Sequence, residues 1–355
     1  MKILICFGTR PEAIKMAPVI HELQRKGIDH KVCVTAQHRE MLDQVLDFFK
    51  IVPDFDLDLM SSDQSLNQLS SGIFAGMDEV LNKTQPDLIL VHGDTSTSVI
   101  AAMAAFHRGI KIGHVEAGLR TNNLQSPFPE EMNRQVTGRL ATYHFAPTET
   151  AKENLLKENI PEEKIIVTGN TIVDALVWGQ QQISGISIEE IAQVTVLKPG
   201  CFQRFILVTG HRRENFGKGL QEICDALLEL SSYFNIIFPV HLNPNVRREV
   251  NGLLKEKENI HLIDPVAYPV MLWLIKNSEF IISDSGGIQE EAPSFGKKVL
   301  VTRDCSERME GVDSDFAVLV GTDAGKILEE SKKILRTPFI SIGTNPYGNG
   351  KASRE

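Results

Sequence analysis

The sequence predicts an α/β fold of two domains, each built on a parallel sheet covered by helices. Short apolar runs of strand type alternate with longer helical segments, which is typical of an open parallel sheet with helices on both faces. At 355 residues the chain exceeds the roughly 250–300 residues beyond which single cores seldom grow. The two halves also repeat the same plan. We therefore expect domains at 1–170 and 171–355, with a hinge near 168–174.

The individual elements follow from the apolar runs and the turn residues between them. Strands are predicted at Lys2–Phe7, Lys31–Thr35, Asp87–Val91, Lys111–Val115, Tyr143–Ala146, Ile165–Thr168, Phe205–Thr209, Asn235–Val240, Ile260–Ile263, Phe280–Ser283, Lys298–Val301 and Ala317–Val320. Helices are predicted between them, for example at Ala13–Lys26, Arg39–Phe49, Thr95–Phe106, Gly219–Leu230 and Asn245–Lys255. The stretch 184–200 is less regular, and we interpret it as a peripheral insert of the second domain.

Composition narrows the class of protein. A hydrophobic content of 42% and a charged content of 23% are typical of soluble globular proteins, and a net charge of −9 argues against a nucleic-acid partner. The five cysteines show no Cys-x-x-Cys spacing, which favours reduced thiols in the cytoplasm. The sequence opens on the apolar run Ile3–Phe7 without a signal peptide, and no apolar run reaches the length of a membrane span. We expect a cytoplasmic protein with no membrane partner.

Polar residues gather where predicted strands end, and ligands of open α/β sheets bind beyond those ends. Glycines or ionisable groups follow strands at Gly8–Glu12, His92–Thr95, Glu116–Arg120, Gly210–Glu214, His241–Pro244 and Asp284–Gly287. Because both halves show this pattern, we expect a single cleft lined by the two domains.

The stretch Phe280–Pro293 passes from a strand through Ser285-Gly286-Gly287 into a helix. Unpaired N–H groups and the helix dipole at such a turn suit a phosphate, and glycine permits close approach. The acids Glu290 and Glu291 would repel a phosphate, so one of them is expected to bind ribose hydroxyls. The alternative is an ordinary helix capped by Ser285. The stretch alone leaves both interpretations open.

The first half supplies acids, namely Asp94, Glu116, Glu130 and Glu131. Asp94 and Glu116 follow strands that would lie about 4.8 Å apart, so both carboxylates could face one ligand as acid and base. Alternatively, Asp94 caps the helix that starts at Thr95, and one of the two adjacent glutamates is structural.

Cations stand at other strand ends. Arg10 and Lys15 could meet a phosphate or a carboxylate, and further cations follow at His211, Arg212, Arg213 and Arg308. There is no Gly-x-Gly-x-x-Gly or Walker motif, and no His or Cys spacing indicates a metal site. We therefore expect neither a nicotinamide nor a metal cofactor.

Together these motifs resemble those of the non-hydrolysing UDP-N-acetylglucosamine 2-epimerases. The resemblance rests on Phe7–Lys15, His92–Thr95, His114–Thr121, Pro129–Glu131, Thr209–Glu214 and Asp284–Pro293, and it extends from Met1 to about Ser353. It implies two Rossmann-like domains of glycosyltransferase-B type with the active site in the interdomain cleft. It also implies a homodimeric isomerase that interconverts UDP-GlcNAc and UDP-ManNAc for polysaccharide synthesis. The family usually continues past residue 355 into a helix that packs on the first domain, so we expect that closing element to be trimmed or reduced here.

The resemblance also implies roles for individual residues. Catalysis would involve Asp94, Glu116, Glu130 and His211. Substrate binding would involve Arg10, Lys15, Arg134, Val266, Met271, Ser285, Gly286, Gly287, Glu291 and Arg308, with Val266 and Met271 beside the uracil. A second, activating substrate site would involve Gln37, Glu131, Arg212 and His241.

Other activities remain open at this point. They are a UDP-2,3-diacetamido-uronate 2-epimerase, a hydrolysing epimerase, a retaining glycosyltransferase of the same fold, and a nucleotide-sugar binding protein without turnover. For an epimerase, C2 of the sugar has no neighbouring carbonyl to acidify its proton, and no NAD is expected. Elimination of UDP followed by its re-addition is the mechanism that remains.

Overall fold

The computed structural model describes residues 1–36, 39–59, 61, 64–210, 217–241, 244–306, 308–336 and 345–355. The chain divides into two units, Met1–Ala175 with Tyr347–Glu355 and Leu176–Pro346. Among the described residues, no helix is long and apolar enough to cross a membrane.

The first unit is built on a parallel sheet. Its strands in the described residues are β1 (Ile3–Phe7), β2 (His30–Val34), β3 (Phe55–Asp56), β4 (Leu88–His92), β5 (Lys111–Val115), β6 (Tyr143–Ala146) and β7 (Ile165–Val167). The helices between them are α1 (Arg10–Arg25), α2 (Arg39–Phe48), α3 (Leu66–Thr84), α4 (Ser96–His107), α5 (Glu130–Leu140) and α6 (Glu149–Lys157). The strand order is β3-β2-β1-β4-β5-β6-β7, and every pairing is parallel.

The second unit repeats this plan. Helix α7 (Thr171–Ile183) crosses the division between the units. The strands that follow are β8 (Phe205–Thr209), β9 (Asn235–Pro239), β10 (Ile260–Ile263), β11 (Ile281–Ser283), β12 (Val299–Val301) and β13 (Ala317–Leu319). The helices are α8 (Ile188–Thr195), α9 (Lys218–Leu230), α10 (Pro244–Leu254), α11 (Tyr268–Asn277), α12 (Gly286–Glu291), α13 (Met309–Asp313) and α14 (Ala324–Arg336). The order β10-β9-β8-β11-β12-β13 is again parallel throughout.

These two sheets confirm the predicted α/β class. In both, the strand order reverses beside the first strand of the unit, between β1 and β4 and between β8 and β11. Such a reversal opens a crevice at the carboxyl ends of the strands, where ligands of doubly wound sheets bind. The central strands are buried on both faces, as their continuous apolar sequences require.

The division of the chain differs from the predicted boundary at residue 170. It falls after Ala175, and residues 347–355 return to the first unit. Hydrogen bonds explain this return. The Asn170 N–H donates to the Tyr347 carbonyl at 2.9 Å, and the Asp174 carboxylate accepts the Ala352 and Ser353 N–H groups at 3.1 and 2.9 Å.

The stretch 184–200 is more regular than expected, because it contains α8. Ser187 caps this helix by accepting from the Glu190 N–H at 3.2 Å, and the Glu190 side chain accepts in return from the Ser187 N–H at 2.7 Å. This reciprocal capping box stabilises the start of a short amphipathic helix that buries Ile191 and Ala192.

Candidate active site

The turns that follow β1 and β4 meet where the first sheet reverses its strand order. Glu12, on the first turn of α1, joins them. One carboxylate oxygen accepts from the Gly8 N–H at 3.0 Å and the Thr9 N–H at 2.8 Å, and the other accepts from the Thr95 hydroxyl at 2.7 Å. Glu12 is 2% exposed, and this burial raises its pKa against the opposing effect of its donors. The turns that carry Arg10 and Asp94 are therefore fixed to one internal carboxylate.

Gly8 has no room for a side chain. A Cβ at this position would fall well inside contact distance of the Thr35 and Thr97 hydroxyls, which are themselves hydrogen-bonded at 2.8 Å. The glycine after β1 is thus needed for the close approach of α4 and the loop after β2.

Asp94 is not the cap of α4, contrary to the structural alternative considered for it. Thr95 caps the helix by accepting from the Ser98 N–H at 3.1 Å. The Asp94 carboxylate instead lies 2.6 Å from an Arg134 guanidinium nitrogen. The backbone carbonyl of Asp94 accepts a hydrogen bond from the Asn133 side chain at 2.8 Å. Burial alone would lower the pKa of Arg134, but Asp94 and then Glu131 raise it. The strand-end acid is therefore paired with a buried cation from α5.

Glu116 follows β5 and has a positive φ of 63°, a backbone region that residues other than glycine rarely occupy. Its Oε2 contacts the Lys15 ammonium and lies 3.5 Å from the His92 Nε2. Burial alone would raise the pKa of Glu116, but Lys15 and His92 hold it well below its ordinary value. Lys15 is itself only 6% exposed, so the ion pair is largely shielded from water.

The two adjacent glutamates of α5 differ in their surroundings. Glu131 is fully buried, and it accepts from the Thr121 and Asn122 N–H groups at 3.0 and 3.1 Å and from the Gln135 amide at 3.0 Å. The Glu130 Oε2 is buried and has no hydrogen-bond partner among the described residues. Glu131 thus holds the preceding loop, and Glu130 carries an oxygen that the rest of the described fold does not use.

In the second unit, Ser285 stands at the N-cap position of α12 but makes no capping side-chain hydrogen bond. Its N–H donates to the Ser283 hydroxyl at 3.0 Å, and that hydroxyl lies 2.6 Å from the Thr209 hydroxyl. The ordinary capped helix, the alternative interpretation of this turn, is therefore not what the structure shows.

Arg308 lies across the backbone of Gly286. A Cβ on Gly286 would lie 2.6 Å from the Arg308 Cζ and Nη1. The Arg308 Nε donates to the Glu290 Oε1 at 2.9 Å, and the Glu290 side chain is 2% exposed. Of the two acids in this helix, Glu290 is therefore the one that anchors the arginine over the turn.

Glu291 has a different partner. It is 6% exposed, and its Oε1 accepts from the Tyr268 hydroxyl at 3.2 Å. Val266, in the loop before α11, is 9% exposed and packs in the core, where the half-buried Met271 of α11 also packs. Gly287, in contrast, is exposed.

Four residues predicted to act in catalysis or activation remain to be placed. His241 is exposed shortly after β9. Gln37, His211 and Arg212 lie outside the described residues, so their predicted roles stay predictions.

Most of the sequence matches a family model. The model described as UDP-N-acetylglucosamine 2-epimerase matches residues 21–355, which is most of the chain. The chain belongs to the UDP-N-acetylglucosamine 2-epimerase family. This confirms the resemblance inferred from the strand-end motifs.

Members of this epimerase family are similar to this chain over nearly their full length. The UDP-N-acetylglucosamine 2-epimerase of Escherichia coli K12 is 50% identical over 363 residues, covering 99% of this chain and 96% of that protein. The crystal structure of the Neisseria meningitidis UDP-GlcNAc 2-epimerase bound to UDP-GlcNAc is 49% identical, with a TM-score of 0.93 and coverage of 100% of this chain and 98% of that one. The Methanocaldococcus jannaschii UDP-GlcNAc 2-epimerase in complex with UDP-GlcNAc and UDP is 34% identical, with a TM-score of 0.86 and coverage of 99% and 97%. The glycosyltransferase-B type of fold expected for this epimerase family is confirmed.

Sequence reasoning missed several residues that build these sites. Glu12 could have been found, because Thr9 and Glu12 have the spacing of a capping box. Tyr268 and the pairing of Glu290 with Arg308 have no local signal, since their partners are distant in sequence.

Proposed function

We propose that this protein is a non-hydrolysing UDP-N-acetylglucosamine 2-epimerase, an isomerase that interconverts UDP-GlcNAc and UDP-ManNAc. The main support is the gathering of acids and cations at the strand ends of the first unit. Asp94 pairs with Arg134, Glu116 with Lys15, and Glu130 has an unused buried oxygen. A binding protein without turnover would have no need of three such carboxylates.

The nucleotide is proposed to bind mainly through the second unit. Ser285, Gly286, Gly287 and Arg308 would hold the diphosphate, Glu291 the ribose, and backbone near Val266 and Met271 the uracil, with Arg10 and His211 adding further contacts. Two observations support this assignment: the Ser285 hydroxyl makes no capping hydrogen bond, and Arg308 lies across the backbone of Gly286. Tyr268 donates to one oxygen of the buried Glu291 carboxylate and so orients it toward the proposed ribose site.

The proposed reaction is an elimination followed by re-addition. One carboxylate takes the C2 proton while the C1–oxygen bond to UDP breaks, which gives an unsaturated sugar and free UDP. UDP then adds back at C1, and a second acid delivers a proton to the other face of C2. Asp94, Glu116 and Glu130 are proposed to serve the two faces, with Lys15 and Arg134 setting their charge state. His211 is proposed to stabilise the departing diphosphate.

The test is an NMR assay of the full chain with UDP-GlcNAc in heavy water. We expect UDP-ManNAc that carries deuterium at C2 and scrambling of a label in the bridging oxygen by positional isotope exchange. Product that keeps its C2 hydrogen, or a bridging label that never scrambles, would refute the elimination.

The same assay separates the alternative activities. Free ManNAc as the product would indicate a hydrolysing epimerase. Turnover of a UDP-2,3-diacetamido-uronate without turnover of UDP-GlcNAc would indicate the related uronate epimerase.

We also propose a cytoplasmic homodimer with an activating substrate site at Gln37, Glu131, Arg212 and His241. Because Glu131 is fully buried, it would act in that site through the loop at Thr121 and Asn122, whose N–H groups donate to its carboxylate. Sedimentation gives the oligomeric state. Rates that rise sigmoidally with UDP-GlcNAc would support activation, and hyperbolic rates would count against it.

A further inference from the structure

His92 is a buried histidine that none of the predicted roles uses. It is the last residue of β4, and it is 4% exposed. Neither ring nitrogen has a hydrogen-bond partner within the described part of the chain. Buried polar atoms are nearly always paired, because leaving them unpaired costs their full desolvation. An imidazole left in this state requires an explanation.

The carboxylate of Glu116 provides one. The His92 Nε2 lies 3.5 Å from the Glu116 Oε2, the same oxygen that contacts Lys15. This separation is slightly longer than a hydrogen bond, so a movement of a few tenths of an ångström would close it. Both contacts engage Oε2, and no described contact engages Oε1. Glu116 has a backbone conformation in the left-handed region, which costs free energy for a residue other than glycine. The surrounding structure therefore holds Glu116 in this conformation.

The other neighbouring histidines do not share this placement. His114, on β5, has one nitrogen 2.7 Å from the Gly93 carbonyl, and burial lowers its pKa to about 3. His144, on β6, also has both ring nitrogens unpaired among the described residues, but no ion pair with a carboxylate is described for it, and burial lowers its pKa to about 4. The titratable groups that interact with His92 are Glu12 on α1, His114 on β5 and Glu116 at the end of β5, and Lys15 of α1 contacts the same Glu116 oxygen. His92 is thus the buried histidine that lies against a proposed catalytic carboxylate.

We propose that His92 is a positioning residue for Glu116. Its Nε2–H and the Lys15 ammonium hold Oε2 from two directions, so that Oε1 is presented to the sugar in a fixed orientation. His92 itself does not touch the substrate. This inference rests on the proposed epimerase function.

Two substitutions at this position form a matched pair. The side-chain amide of His92→Gln places an N–H close to the position of Nε2, whereas that of His92→Asn matches Nδ1 and stops short of Glu116. With UDP-GlcNAc, we expect His92→Asn to lower kcat by about ten- to a hundredfold, the usual effect of losing a hydrogen bond to a charged group. KM and the Kd of UDP from calorimetry should stay unchanged, and His92→Gln should recover most of kcat.

His144→Asn is the control for removing a buried ring from the same sheet, and its kcat should match that of the wild type. The inference is overturned if His92→Asn keeps wild-type kcat, if both His92 variants lose activity equally, or if the loss appears in KM or in UDP binding. A wild-type chain that does not turn over UDP-GlcNAc would instead refute the proposed function.

A measurement that needs no His92 variant gives an independent answer. In protein labelled with ¹⁵N at histidine, the Nε2 resonance of His92 should shift between wild type and Glu116→Gln, while that of His144 stays in place. An unchanged His92 resonance would overturn the inference.

Discussion

Substituting Gly286 by alanine tests the arrangement of the second unit most directly. The added Cβ would lie 2.6 Å from the Arg308 Cζ and Nη1 and 2.9 Å from Nη2, closer than real Cβ contacts. Because φ of Gly286 is not in the left-handed region, the substitution adds a clash and little backbone strain. The guanidinium must move away, and its 2.9 Å hydrogen bond to the buried Glu290 is lost.

The magnitude follows from that hydrogen bond. Losing a bond to a charged partner costs about 1.5–3 kcal/mol. Alanine is a better helix former than glycine and offsets up to about 1 kcal/mol of this. We therefore expect the free energy of unfolding to fall by about 0.5–3 kcal/mol. UDP affinity should fall by about ten- to a hundredfold, because the displaced arginine would lose its proposed contact with the diphosphate.

Urea unfolding and calorimetry with UDP measure the two effects, and Gly287→Ala is the matched control for the loss of stability. Its Cβ would have no neighbour closer than the Ser285 hydroxyl at 3.8 Å, although the change lies one residue along the same helix. A double-mutant cycle adds a second check, since Gly286→Ala should cost little in an Arg308→Ala background. Equal losses of stability for Gly286→Ala and Gly287→Ala, or no coupling to Arg308→Ala, would refute the reasoning.

Three further predictions concern the first unit. Asp94→Asn should lower kcat by at least about a hundredfold with UDP affinity unchanged in calorimetry, because it removes an acid paired with Arg134 at 2.6 Å; full activity would contradict its proposed role. Gly8→Ala should lower stability by about 1–3 kcal/mol in urea unfolding, because its Cβ would overlap two threonine hydroxyls, whereas Gly185→Ala, with no atom within 4 Å, should not. Glu131 has a lowered pKa in the fold, where its donors outweigh its burial, so its ionised form stabilises the protein above its unfolded pKa and this contribution is lost as the pH falls. The stability difference between wild type and Glu131→Gln should therefore shrink between pH 7 and pH 3, and a constant difference would contradict the assignment.

The strands were predictable because central strands of a parallel sheet carry continuous apolar sequences. The strands at Lys111–Val115 and Phe205–Thr209 have the predicted bounds. Strand β3 was missed, since two residues at a sheet edge are too short to give a pattern. Helix α8 was also missed, although Ser187 and Glu190 have the spacing of a capping box and so mark its start in the sequence.

The sequence predicted where the site residues lie, at the ends of neighbouring strands, but not which residues they pair with. Sequence position indicates that Asp94 and Glu116 lie near one crevice, because parallel strands end at one edge of a sheet. It does not indicate that Asp94 pairs with Arg134, forty residues later, or that Thr95 is the cap of α4. Such pairings depend on how α5 packs on the sheet, and no local pattern encodes that packing.

The return of residues 347–355 to the first unit has a consequence for the order of synthesis. The second unit, Leu176–Pro346, is a continuous segment, so a ribosome completes it before the first unit has all of its chain. At about 5–20 residues per second, the interval is on the order of ten seconds or more. During that time the Asp174 carboxylate lacks the N–H groups of Ala352 and Ser353 that it binds in the finished fold. The nascent first unit therefore emerges first and is completed last.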